Sequence, residues 1–285
     1  MSVYIKHPFQ RQLVESKYRF NFTTIKEFGL GENKSLKVST LRCIRSKGIE
    51  EEKKQSVRCS VNEQKLNNNL WRSQQKIFEL AYCNSWEWFV TFTIDKSKYT
   101  RSDLKIYYKH FSQFLRDFSK KHSIKIKYLL IPELHKDGES WHLHGLMSGL
   151  PLELLHRFVF GDVMSTYIAD KVSRGESVYN WIEYQSKFGF CCIEPVVSHP
   201  RVCCYITKYI NKDLCRSVTE LNANLYYRSH GLQTAKVLKQ GTFIGNYFPD
   251  WEGEYCKGKI FPYTEKNLSY LLENTITQNE VYNDF

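Results

Sequence analysis

The chain has 285 residues, of which 42% are hydrophobic and 15% aromatic, so it can bury a substantial core. Its formal net charge of +11 indicates a polyanionic partner, most often nucleic acid. No apolar run approaches the roughly 18 residues of a membrane span, and the odd number of cysteines without a secretory leader predicts reduced thiols in a cytoplasm. These features exclude a membrane-spanning protein and a secreted disulfide scaffold.

The sequence divides into three predicted parts. Residues 1–65 form an N-terminal extension that runs into a mobile linker, because residues 46–69 are almost entirely polar or charged. Residues 66–216 contain every recognisable motif and are predicted to form the main domain. Residues 217–285 form a C-terminal accessory segment that carries no motif.

The main domain is predicted to alternate strands and helices. Residues 88–94 predict a buried strand, and an apolar stripe from Leu104 to Phe118 predicts a helix that Ser102 can cap. The other predicted elements are a helix at 70–81, strands at 124–131, 142–147 and 188–194, and helices at 151–167 and 199–211. This order predicts an α+β fold, a split βαβ (RRM- or ferredoxin-like) antiparallel sheet with helices packed on one face, plus N- and C-terminal extensions.

A His-Leu-His step lies at 142–144. Side chains alternate between the faces of a strand, so His142 and His144 point the same way, about 7 Å apart, with Leu143 on the opposite face. Two imidazoles on one face can share a divalent metal ion.

Glu133 supplies a candidate third ligand. It ends the strand that is predicted to pair with the His142 strand across the turn that begins at His135, so its carboxylate can reach the face of the histidines. Such a mixed nitrogen and oxygen set suits Mn²⁺ or Mg²⁺ better than Zn²⁺. His135 is a substitute ligand, and the acids of the turn, Asp137 and Glu139, are expected to be solvated.

Two tyrosines lie four residues apart in the predicted helix at 199–211. Tyr205 and Tyr209 share a helix face, and Lys208 lies beside them. A tyrosine has a pKa near 10, so it needs a nearby cation or a base to become a nucleophile. Together with a metal site, this group indicates phosphoryl transfer through a covalent tyrosine.

The three motifs together resemble those of the HUH endonucleases, which include the rolling-circle replication initiators of small phages and plasmids. The resemblance spans residues 89–213. It rests on Phe89-Val-Thr-Phe-Thr, His142-Leu-His-Gly-Leu and Tyr205-Ile-Thr-Lys-Tyr-Ile-Asn-Lys212, in the family's order. The two-tyrosine spacing is most similar to that of the initiators of small single-stranded DNA phages.

The resemblance implies a nickase and strand-transferase that acts on single-stranded or cruciform origin DNA in a bacterial cytoplasm. It implies nucleophile roles for Tyr205 and Tyr209, metal binding by His142, His144 and an acid carried over to Glu133, and a shaping role for Thr91 and Thr93. No Gly-x-x-x-x-Gly-Lys-Ser/Thr phosphate loop occurs, so a host helicase is expected to unwind the duplex.

DNA contacts are predicted for basic and aromatic residues that follow the tyrosines. Lys212, Arg216 and Arg228 are candidate phosphate contacts, and Tyr226 and Tyr227 are candidate stacking residues.

Other functions remain open from the sequence alone. An HUH relaxase or transposase would use the same chemistry, and a non-catalytic single-stranded DNA-binding protein would share the charge and the aromatic residues. An oxygenase with a two-histidine, one-carboxylate iron site would use Glu133, His142 and His144 but would leave the tyrosine pair unexplained.

Overall fold

A computed structural model describes residues 18–45, 63–100, 102–135, 137, 140–211, 214 and 224–277. These residues form two compact units. The core unit comprises the described residues from 63 to 233, and the terminal unit combines 18–45 with 234–277. The fold is α+β, as predicted.

The core unit contains one antiparallel sheet. Its strands, in spatial order, are β6 (His156–Arg157), β7 (Tyr179–Asn180), β8 (Cys191–Pro195), β3 (Trp88–Thr93), β5 (Trp141–Ser148), β4 (Lys127–Leu134) and β9 (Tyr227–Arg228). Its helices are α1 (Glu63–Tyr82), α2 (Leu104–Lys121), α3 (Thr166–Ser173), α4 (Ile182–Lys187) and α5 (His199–Thr207).

The centre of this sheet has the predicted split βαβ arrangement. Strands β3 and β4 are joined through α2, and both pair antiparallel with β5, which lies between them. The hairpin of β4 and β5 is confirmed, with Glu133 opposite His142 and Ile131 opposite His144. The chain order therefore brings the first two motifs onto adjacent strands.

Helices pack on both faces of the sheet, which corrects the prediction of helices on one face. Phe92 of β3 contacts Phe111 of α2 on one side, with ring centroids 5.0 Å apart. On the opposite side Phe89 contacts Tyr205 of α5, with centroids 5.4 Å apart. The two phenylalanines are three residues apart in a strand, so they face opposite ways. Both layers exclude water from the sheet.

Helix α5 is held in place by α1. Gln74 of α1 donates a hydrogen bond to the carbonyl oxygen of Ile210 at 2.9 Å, just beyond the end of α5. At its other end, His199 lies 2.7 Å from the carbonyl oxygen of Asn84, through Nε2. These two anchors fix the segment that carries both tyrosines.

The terminal unit is built from both ends of the chain. Its sheet has the strand order β11 (Trp251–Glu252), β12 (Cys256–Pro262), β2 (Ser35–Arg45), β1 (Tyr18–Phe28), β10 (Lys236–Phe243) and β13 (Thr275–Ile276). Helix α6 (Glu265–Glu273) contributes Leu271 to a small core with Ile25, Leu36 and Val38. The sequence did not indicate that the predicted N-terminal extension and C-terminal accessory segment would share a sheet.

Three local predictions were wrong. The segment at 151–167 is not one helix, since it contains a short 3₁₀ turn at Leu152–Leu154 and strand β6 before α3 begins. The polar stretch 46–69 is not all linker, because α1 already begins at Glu63, and residues 46–62 lie outside the described residues. Asp103 rather than Ser102 caps α2, because its carboxylate accepts a hydrogen bond from the backbone amide of Ile106. No helix in the described residues is long and apolar enough to cross a membrane.

Candidate active site

The candidate site lies on the face of the core sheet that carries α5. Residues opposite each other in an antiparallel sheet share a face, so the strand register defines rows across it. One row contains Ile131, His144, Thr91 and Cys192, and the next contains Glu133, His142 and Thr93. The polar side chains of both rows therefore point into the same space.

The two histidines lie as the alternation predicted. Their rings are almost parallel, with an interplanar angle of 8° and centroids 6.3 Å apart. Gly145 follows because β4 passes close behind this position, and a Cβ atom there would lie 2.3 Å from the carbonyl oxygen of Leu129. The glycine thus lets β5 approach β4 closely at the end of the motif.

Each histidine is oriented by a threonine of β3. The Oγ1 atom of Thr91 lies 3.1 Å from Nδ1 of His144, and that of Thr93 lies 3.3 Å from Nδ1 of His142. A histidine that ligates a metal commonly donates its other ring N–H to such an oxygen, which fixes the tautomer and the ring orientation. This arrangement leaves Nε2 of each ring for a ligand.

Glu133 faces His144, with Oε2 2.7 Å from Nε2. Neighbouring ligands of an octahedral divalent ion, each bound at about 2.1 Å, lie about 3 Å apart, so this pair fits one edge of such a site. The hydrogen bond with His144 lowers the pKa of the Glu133 carboxyl, and the charges of the histidines and of Lys208 lower it further. The carboxylate is therefore anionic at neutral pH, as a metal ligand must be.

In the described part of the chain, no group of three or more His, Cys, Asp and Glu side chains is already arranged to hold a metal ion. The set of Glu133, His142 and His144 stays a prediction that rests on its donor chemistry. The substitute ligand His135 stacks on His142, with centroids 5.5 Å apart, and its Nδ1 lies 3.6 Å from Asp137. Glu139 lies outside the described residues.

The tyrosines close the site from above the sheet. Helix α5 ends at Thr207, earlier than predicted, so Tyr209 lies in the turn that follows. The ring of Tyr209 stacks on His144 with centroids 4.4 Å apart, and its hydroxyl donates a hydrogen bond to the hydroxyl of Tyr205 at 3.2 Å. One histidine and both phenols are therefore in a single cluster.

The environments of the two tyrosines differ. Tyr209 is 8% exposed, and burial, the hydrogen bond with Tyr205 and the charge of Glu133 all raise the pKa of its hydroxyl well above the usual value. Tyr205 is 44% exposed, and Nζ of Lys208 lies 3.5 Å from the centroid of its ring. Negative charge on Tyr205 would be stabilised by both Lys208 and the hydroxyl of Tyr209.

A cleft of about 360 Å³ opens between the sheet, the tyrosines and α3. Besides the motif residues, it is lined by Tyr167 of α3 and by Cys192 and Glu194 of β8. The sequence analysis did not identify these residues. Alternation along β8 could have placed Cys192 and Glu194 on one face, whereas Tyr167 gave no signal because its segment was interpreted as part of a longer helix.

The predicted DNA contacts have different locations. Arg228 is exposed on β9 and pairs with Leu129, on the face that carries the site. Tyr227 is 5% exposed and stacks on Tyr108 with centroids 3.8 Å apart, so it is a core residue rather than an accessible stacking surface. Tyr226 is half-buried and packs against the same core. Lys212 and Arg216 lie outside the described residues.

The fold and site together define an α+β protein with a histidine pair and a tyrosine pair facing one cleft. Residues 87–214 match a family model for replication-associated proteins of the ORF2 type. The match covers less than half of the chain, contains all three motifs, and is consistent with a rolling-circle replication initiator. Comparisons with curated proteins and with solved structures returned no match.

Proposed function

We propose that this protein initiates rolling-circle replication by nicking single-stranded or cruciform origin DNA through a tyrosine and later rejoining the strand. The observation that carries the proposal is the cluster in which Tyr209 stacks on His144 and donates a hydrogen bond to Tyr205. A nucleophile pair beside a candidate metal site is what strand transfer requires, and the family match to replication-associated proteins gives it a biological setting. A host helicase would supply the unwinding.

Tyr205 is proposed as the first nucleophile because it is the exposed member of the pair and lies beneath Lys208. Its Oη forms a bond to phosphorus as the bond from phosphorus to the 3′ oxygen breaks. The phenolic proton leaves to solvent, and the 3′ oxygen takes up a proton and departs as a hydroxyl. One phosphodiester replaces another, so the reverse reaction reseals the strand.

Tyr209 would act in the second transfer of a replication cycle. While it waits, its hydroxyl hydrogen bond stabilises charge on Tyr205. A divalent ion, Mn²⁺ or Mg²⁺, would be held by Glu133, His142 and His144 and would supply electrostatic stabilisation of the phosphate oxygens. Thr91 and Thr93 orient the two rings through their hydroxyl groups.

The proposal predicts a covalent adduct between the protein and the 5′ end of a cleaved strand. The full chain would be incubated with random single-stranded 40-mers and Mn²⁺, digested with nuclease and trypsin, and analysed by mass spectrometry. Trypsin cleaves after Lys208, so the tyrosines fall in different peptides, 202–208 and 209–212. A nucleotide is expected on the peptide of Tyr205.

The same measurement separates the proposal from its alternatives. Binding of the oligonucleotides without any adduct on either peptide would contradict strand transfer and favour a non-catalytic single-stranded DNA-binding protein. Turnover of a 2-oxo acid with Fe²⁺ and without DNA would favour the oxygenase.

A further prediction concerns the path of the DNA backbone. If Lys208, Lys212, Arg216 and Arg228 contact phosphates, each change to alanine should lower the slope of log K against log salt by roughly 0.7 for single strands. Titration of origin and unrelated oligonucleotides from low to moderate salt would measure the slope, and both should lose equally. Lys120→Ala is a matched control, because Lys120 is exposed at the end of α2, on the opposite face of the sheet. An unchanged slope in the quadruple variant would place the path elsewhere.

A further inference from the structure

A second cavity adjoins the candidate active-site cleft. It has a volume of about 430 Å³ and shares Phe89, Tyr167, Glu194 and Tyr205 with the cleft. It then extends past the start of α5, where Arg201 forms part of its wall. Its volume lies in the range of small-ligand sites, and its walls combine aromatic rings with charged groups. Anything bound at Tyr205 has this cavity as its neighbour.

Tyr167 is an exposed ring that is nevertheless held in one position. Its side chain is 54% exposed, and its hydroxyl donates a hydrogen bond to Oε1 of Glu194 at 2.8 Å. The other oxygen of Glu194 forms an ion pair with Lys171 at 2.6 Å, and Lys171 also pairs with Glu176 at 3.0 Å. Since the side chains of Lys171 and Glu194 are only 16% and 17% exposed, this network is firmly placed. It fixes the ring as a wall of the cavity.

A fixed, exposed aromatic ring suits a nucleobase. Bases stack on aromatic side chains in single-stranded nucleic acid complexes, and a ring that is already immobilised loses little conformational entropy when a base binds. Arg201 is exposed on α5 four residues before Tyr205, so the two side chains share a helix face. The cavity therefore has a stacking surface and a cation next to the proposed nucleophile.

We propose that this cavity binds one unpaired nucleotide adjacent to the cleaved phosphate, with its base stacked on Tyr167 and its backbone phosphate near Arg201. This inference rests on the proposed function, because it takes the cleaved phosphate to lie at Tyr205. It assigns to α3 and β8 the task of positioning the DNA strand. The charge and the continuity with the cleft both favour a DNA strand as the occupant.

The test measures binding, so that it does not depend on cleavage. Tyr167→Ala would be made in the full chain carrying Tyr205→Phe and Tyr209→Phe, which keeps the rings but prevents strand transfer. Fluorescence anisotropy would follow oligonucleotides that span the mapped cleavage site, each lacking one base in turn. Tyr167→Ala should weaken binding of the intact strand about 5-fold to 150-fold, the range for loss of one base–aromatic stack.

The decisive result is the combination of the two changes. One abasic position beside the cleaved bond should weaken binding to the parent protein by a similar factor and should cause no further loss in Tyr167→Ala. Tyr167→Phe, which keeps the ring, should bind within about threefold of the parent protein. Phe160→Ala is the matched control, because Phe160 is 77% exposed in the segment that precedes α3 and should behave like the parent protein.

Three outcomes would overturn the inference. Tyr167→Ala could bind the intact strand as tightly as the parent protein, its loss could add fully to that of every abasic position, or Tyr167→Phe could be as weak as Tyr167→Ala. In each case, an unmodified chain that still forms the tyrosine adduct would leave the proposed function intact. A chain that forms no adduct would instead contradict the proposed function itself.

Discussion

Replacement of both His142 and His144 with alanine is expected to reduce strand cleavage by at least about a thousandfold, because a bound ion contributes several kcal/mol at the developing charge. Single-stranded DNA binding should stay within a few-fold, since it depends on many phosphate contacts rather than on one ion. Cleavage of a labelled oligonucleotide in a Mn²⁺ titration, with binding measured in parallel, would check both expectations.

The histidine experiment needs a control for general damage to the protein. His230→Ala is suitable because His230 is exposed and does not line the cleft. It should cleave like the unmodified chain, and thermal melting should show that the double variant remains folded. Cleavage by the double variant at the normal rate in the presence of EDTA would mean that the metal assignment is wrong.

The second large effect concerns the tyrosine pair. Tyr205→Phe and Tyr209→Phe should each leave some cleavage of a short oligonucleotide, and the double variant should leave none. The single variants should differ, because Tyr205 is exposed beneath Lys208 whereas Tyr209 is buried and acts as its hydrogen-bond donor. Loss of that donor should slow Tyr205 by about 10-fold or more, the usual effect of a hydrogen bond to a charged group.

Adduct yields on the two tryptic peptides would measure the contribution of each tyrosine. Tyr205→Phe should shift the remaining adduct to the peptide that carries Tyr209. Phenylalanine preserves the stacking of position 209 on His144, so a change in yield reports the hydroxyl rather than the packing. An adduct at the normal yield in the double variant would exclude both tyrosines as nucleophiles.

The parts of the site that the sequence predicted are those set by local geometry. Alternation along β5 put His142 and His144 on one face, and the short turn after β4 brought Glu133 opposite His142. The four-residue spacing kept Tyr205 and Tyr209 together even though α5 ends between them. Each of these relations depends on a few neighbouring residues, and each is visible in the order of the amino acids.

The parts that the sequence did not predict depend on distant contacts. Apolar residues between 151 and 167 have a spacing that suits a helix, but the chain there uses a short turn and strand β6, which pairs with β7 more than 20 residues later. Tyr227 was expected on the surface because it lies in a basic, aromatic stretch. Its burial follows from pairing with Leu130 and stacking on Tyr108, neither of which is close in sequence.

The division of the terminal unit between the two chain ends affects how the protein is made on the ribosome. Strands β1 and β2 emerge first, and a hairpin of two strands alone is marginally stable. Their partners β10 and β12 follow only after the whole core unit, a delay of roughly 10 to 40 s at 5 to 20 residues per second. The core unit is continuous in sequence and can be complete before then, so nascent chains would carry a folded catalytic region while β1 and β2 still present unpaired edges to chaperones or to other nascent chains.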